Sequence, residues 1–78
     1  MGTRRQNERK FGKWKVLPGG GRRYWLEVPG RFGWSARYIK EVDAEEVTVN
    51  FWQEINDEKG SLVERHEKYP VDKGHQKA

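Results

Sequence analysis

The sequence predicts an all-β fold: a small antiparallel meander, or a partly open barrel, of about four to five strands. Three observations carry this expectation. Short runs rich in β-branched and aromatic residues recur at intervals of roughly 8–12 residues. Clusters of Gly, Pro and Asp, which favour turns over continued strands, separate those runs. No window shows apolar positions at helical spacing between recognisable caps.

The elements follow in chain order. Residues 1–10 (MGTRRQNERK) hold no apolar periodicity, and with Arg4, Arg5, Arg9 and Lys10 they are expected to form a disordered basic arm. Residues 11–70 make one β domain. Its first strand is expected over 11–17 (FGKWKVL), ended by Pro18-Gly19-Gly20-Gly21. Further strands are expected over 22–28 (RRYWLEV), 34–42 (WSARYIKEV), 47–55 (VTVNFWQEI) and 61–69 (SLVERHEKY). The turns between them are Pro29–Gly33, Asp43–Glu46 and Asp57–Gly60. The last suits a type I turn, with Asp first and Gly fourth, and Gly60 can take the left-handed conformation of a bulge. Pro70 has no N–H to donate and should end the pairing, which leaves residues 71–78 as a flexible tail.

Two loops invite other readings. "PGGGRR" at residues 18–23 resembles a phosphate cradle only in its glycines. It lacks the Lys-Ser/Thr ending and the following helix, so a hairpin turn is expected. In "PGRFGW", Phe32 either tucks into the end of the core or stands beside Arg31 as a contact point.

The bulk composition narrows the class. Apolar residues make up 33% and charged residues 36%, so a single small core is expected, helped by the large area that each aromatic ring buries. With no cysteine, disulfides and thiolate metal sites are excluded, which fits a reducing compartment. No apolar run nears the roughly 20 residues of a membrane span, and no signal-peptide core follows the basic start. A soluble cytoplasmic protein without membrane or cofactor partners is the expectation. The net charge is +4, unevenly spread: residues 1–25 carry eight Lys/Arg and one acid, and the remainder eight Lys/Arg and eleven acids. A basic segment on a nearly balanced body suits a polyanionic partner, or simply a solvated end.

Strand pairing sharpens the functional reading. Turn geometry sets which residues oppose one another. The registers that bring apolar residues together place Trp25 opposite Arg37, Arg37 opposite Trp52, and Trp52 opposite His66. One face then gathers a core of Tyr24, Leu26, Val28, Trp34, Ala36, Tyr38, Val42, Val47, Val49, Phe51, Ile55, Val63 and Tyr69. The other carries the row Trp25, Arg37, Trp52 and His66, with Arg23 and Lys68 beside it.

Such a row supports three readings. It can be a stabilised outer face, or a second small core covered by Phe11 and Trp14. It can bind single-stranded nucleic acid, with indoles as stacking platforms and Arg23, Arg37, Lys68 and the basic arm as phosphate contacts. It can bind a protein, since Trp, Tyr and Arg are enriched at hot spots, and strand 61–69 offers an edge. Nucleic-acid binding is the leading expectation, without a catalytic or metal site. A small RNase using His66, Tyr69 and Arg65 is a remote alternative, as is a half metal site at Glu64 and His66.

Overall fold

A computed structural model describes residues 3–70 and the backbone of residues 74–77. A short helix, α1 (Arg4–Phe11), is followed by six strands: β1 (Lys13–Val16), β2 (Arg22–Pro29), β3 (Ser35–Val42), β4 (Thr48–Asn56), β5 (Leu62–Tyr69) and β6 (Gly74–Lys77). They pair antiparallel in chain order, with β1 at one edge and β6 at the other. The fold is the expected β-meander, as an open sheet. Four expected strands match β2–β5 to within a residue or two at each end, and β5 stops at Tyr69, just before Pro70.

Both ends differ from expectation. Residues 4–11, expected as disordered arm and strand start, form α1. Thr3 and Gln6 make a capping box: Thr3 Oγ1 accepts from the Gln6 N–H at 3.2 Å, and Gln6 Oε1 accepts from the Thr3 N–H at 2.9 Å. Gly12 closes the helix in the left-handed conformation, donating to the Glu8 carbonyl. Gly74–Lys77, expected as tail, pairs with β5 and removes 62–69 from the sheet edge. Residues 71–73 and 78 of the expected tail lie outside the described residues.

Helix α1 packs on one face of the sheet. There Phe11, Tyr24 and Val42 form the buried core, with Leu26, Tyr38 and Phe51 against it. Phe11 meets Phe51 edge-on at 6.3 Å and tilts over Tyr24 at 5.9 Å. This corrects the idea that Phe11 and Trp14 cover the Trp25 face. Both rings contact Tyr24, on the opposite face. The core is also smaller than the alternation suggested. Val28, Trp34, Val47, Val49 and Tyr69 are exposed, because an eight-residue helix is too short to cover a sheet of this width.

Polar anchors finish the docking. The Glu46 carboxylate accepts hydrogen bonds from Asn7 Nδ2 (3.0 Å), Arg4 Nε (3.2 Å) and the Tyr24 hydroxyl. Asn7 is 2% exposed, so its amide needs these partners. Arg22 Nη1 holds Glu8 at 2.7 Å from β2. Burial pushes the Glu46 carboxyl upward, but the bonds from Asn7, Tyr24 and Arg4 outweigh it and hold the group below the ordinary carboxylate range.

Candidate nucleic-acid interface

Successive side chains of a strand point to opposite faces, so each strand sends alternate residues away from α1. Register then aligns them. Lys13 opposes Trp25, Trp25 opposes Ile39, Ile39 opposes Trp52, and Trp52 opposes Glu67. A parallel line joins Glu27, Arg37, Glu54 and Arg65. The expected row is therefore rearranged. At β2–β3 and β3–β4 the real pairing is two residues away from the expected one, which keeps every side chain on its face but replaces Arg37 by Ile39 between the indoles. At β4–β5 the slip is one residue over most of the ladder, and that turns the strand over: Gln53, not Trp52, opposes His66. The physical cause is a bulge at each end of this ladder, between Phe51 and Trp52 and between Ile55 and Asn56.

Of the predicted site residues, Arg23, Trp25, Arg37 and Trp52 share the outer face. His66 and Lys68 do not. His66 pairs with Gln53, whose amide Nε2 donates to Tyr38 on the helix side, and Lys68 Nζ lies 5.3 Å from the Tyr38 ring centroid. Arg4, Arg5, Arg9 and Lys10 ride on α1, behind the sheet. Arg65 and His66 are successive residues of β5 and so take opposite faces, and the RNase grouping of His66, Tyr69 and Arg65 is not assembled around one point. Among the described residues no cluster of three or more His, Cys, Asp or Glu is placed to hold a metal.

Trp52 has a structural occupation. Its Nε1 donates to Glu54 Oε2 at 2.9 Å, and the Arg65 guanidinium lies 4.6 Å from its ring centroid. That stacking is favourable by about 0.5–1 kcal/mol at an exposed site. Ile39, between the two tryptophans in register, is only 4% exposed. The outer face thus has its own apolar strip, two indoles flanking an isoleucine.

Trp25 has a more open setting. It shares a groove of about 320 Å³ with Lys15, Arg23, Arg37 and Ile39. Arg23 is held by Glu41 at 2.7 Å and Arg37 by Glu27 at 3.0 Å. Lys15 makes no ion pair among the described residues. The Arg37 Nε is buried without a hydrogen-bond partner, a donor left over in the groove wall. Sequence reasoning missed Lys15, and it named Arg65 beside His66, not on the outer face over Trp52. The alternation Lys13-Trp14-Lys15-Val16 is visible in the sequence, but the Pro18–Gly21 turn alone does not fix the register of β1 against β2. Arg65 was hidden by the one-residue slip.

No family model, curated protein or solved structure matches the chain, so the reading of this face rests on its own geometry.

Proposed function

We propose that the protein is a non-catalytic module binding single-stranded nucleic acid on the outer face of its sheet. The observation that carries the reading is the groove of about 320 Å³, in which one indole, Trp25, is ringed by the cations Lys15, Arg23 and Arg37. A basic groove with an aromatic floor is the arrangement that tracks a phosphate backbone while a base stacks. Among the described residues no helix covers this face, since α1 lies on the other. Salt bridges to Glu41 and Glu27 pre-orient the two guanidiniums and lower the net field, so the predicted affinity is modest and salt-sensitive. The test is fluorescence titration with short single-stranded DNA and RNA at low and then moderate salt. Saturable quenching that weakens with salt and is lost in Trp25→Ala supports the reading. No change at low salt defeats it.

A protein partner is the second reading, favoured by one observation at the end of the sheet. Phe32 is 90% exposed at a left-handed φ of 58°, and Val28, Trp34 and Leu62 are exposed at the same end. The open question of whether Phe32 tucks inward is thus answered: it stands out. Salt-independent capture of a protein, abolished by Phe32→Ala, would favour this class.

A further inference from the structure

A cleft larger than the outer groove lies on the other face of the sheet. It opens between α1 and the sheet, has a volume of about 480 Å³, and is lined in part by Lys10 and Asn7 of the helix and Lys40 and Phe51 of the sheet, with Phe11 and Tyr69 as further aromatic walls. The volume falls within the range of small-molecule sites, which are mainly apolar with a few placed polar groups.

The charged groups that line it, Lys10 and Lys40, are of one sign. Lys40 Nζ donates to Asn7 Oδ1 at 2.9 Å, and an ammonium has three donors to give. Lys10 reaches over the helix end, its Nζ 5.7 Å from the Phe11 centroid. Lys68 Nζ stands 5.7 Å from the Phe51 ring, which itself lines the cleft. Glu46 is the neighbouring carboxylate. It accepts from Asn7, Arg4 and Tyr24, and Arg4 offsets its charge. Burial first, and then the charge of Lys10, lower the Lys40 ammonium below the ordinary lysine value. Glu46 pulls the other way on Lys40, so the mutual repulsion of the two cations is only partly offset and an entering anion would relieve it.

We infer that this cleft binds a nucleoside monophosphate group, its phosphate between Lys10 and Lys40 and its base against Phe51 and Tyr69. A phosphate monoester carries a charge of about −1.5 to −2 near neutrality, which matches two ammonium groups better than a carboxylate would. An aromatic base offers a flat face to walls of the same kind, and such stacking is tolerant of base identity. The site is independent of the outer groove, from which the sheet itself separates it. The phosphate could belong to a free mononucleotide or to the 5′ end of a strand, and the chemistry at the lysines is the same for both.

The experiment is amide-resolved NMR titration of the full chain with five probes: AMP, adenosine, inorganic phosphate, and an oligothymidylate with and without a 5′-phosphate. Saturable AMP shifts confined to the amides around Lys10, Lys40, Thr48 and Phe51 support the inference. The affinity should fall about ten- to a hundred-fold in Lys40→Gln, the loss expected for a hydrogen bond to a charged group. Because Lys40 is half-buried, Lys10→Gln, on the exposed helix surface, serves as the second variant and should weaken AMP in the same direction. Trp25→Ala should leave the AMP shifts at the cleft amides as they are in the parent, since the sheet lies between the two sites. Cleft shifts from the phosphorylated strand alone would assign the site to strand ends, and shifts from AMP alone to free nucleotides. The inference is overturned if neither AMP nor the 5′-phosphorylated strand shifts the cleft amides, if both lysine variants bind the shifting probe as the parent does, or if inorganic phosphate binds as tightly as that probe. Shifts on the outer face report strand binding there separately.

Discussion

Glu46 is the residue whose backbone and side chain pull in different directions. Three hairpins share one turn: the residue at its first position donates its N–H four residues on, and the fourth residue bonds back to it. This holds for Leu17–Gly21, Asp43–Val47 and Asp57–Ser61. The fourth position is left-handed each time, and it is Gly20 at φ 91° and Gly60 at φ 83° but Glu46 at φ 68°. A non-glycine residue there costs about 1–2 kcal/mol. The carboxylate offsets that cost by receiving Asn7, Arg4 and Tyr24 and so fastening α1. Glu46→Gln should therefore destabilise the fold by about 1–3 kcal/mol, as partly buried donors lose a charged acceptor. Glu46→Gly should destabilise too, despite relieving the backbone; a gain in stability would show that the anchor contributes little. Because the folded carboxyl is held low, its contribution is full above the unfolded value of roughly 4.3 and is lost as pH falls through the lower folded value. Urea midpoints measured from pH 7 to pH 3 should fall less steeply for Glu46→Gln than for the parent over that acid range.

Among the elements, α1 and the first hairpin are the most exposed to single changes. Phe11 is 3% exposed and is the helix's one apolar contribution to the core. Phe11→Ala should cost about 3–5 kcal/mol, comparable to the whole net stability of a domain this small, so thermal melts should show a largely lost transition. Thr3→Ala removes only the cap, about 1 kcal/mol, and should speed amide exchange in α1 while leaving β3 and β4 protected. Gly21→Ala tests the first hairpin: a Cβ there would collide with the Val42 carbonyl oxygen, which belongs to backbone and cannot swing away. A loss of about 1–3 kcal/mol is expected by equilibrium denaturation. The strands were legible in the sequence because alternation and Asp/Gly turns are local signals. The turn at Asp57 is as read, with Asp57 Oδ1 accepting from the N–H of Lys59 and Ser61 at 2.9 Å. The helix was not, because with one apolar residue it has no periodicity. Its signal was the Thr3…Gln6 spacing and Gly12, a capping box around a polar segment, which is stabilised by where it docks rather than by its own pattern.

At the scale of the molecule, the sheet divides the charge that the sequence presents as one basic arm. Lys13 and Lys15 turn outward, while Arg4 and Arg22 are spent on Glu46 and Glu8 behind the sheet. Which face a residue takes is a matter of register, and register was the least legible property. Bulges at Glu41/Val42 and at both ends of the β4–β5 ladder change the pairing without changing composition. Slips of two kept Arg23, Trp25, Arg37 and Trp52 together, and the slip of one removed His66. The last prediction follows from that division. If strands bind the outer groove, Trp25→Ala should weaken binding by about 1–3 kcal/mol with the fold intact. Trp52→Ala, by contrast, should act first on stability, because its ring is tied to Glu54 and stacked by Arg65. Three groove cations predict a slope of log affinity against log salt of about −2 for a single strand, from roughly 0.7 per phosphate neutralised. Lys15→Gln should make that slope shallower by about 0.7, since Lys15, unlike Arg23 and Arg37, has no carboxylate among the described residues to return to when the phosphate leaves. Titrations of one labelled oligonucleotide at several salt concentrations measure this directly. A slope unchanged in Lys15→Gln would move the phosphate path off the groove and onto the helix, where Arg5, Arg9 and Lys10 are exposed.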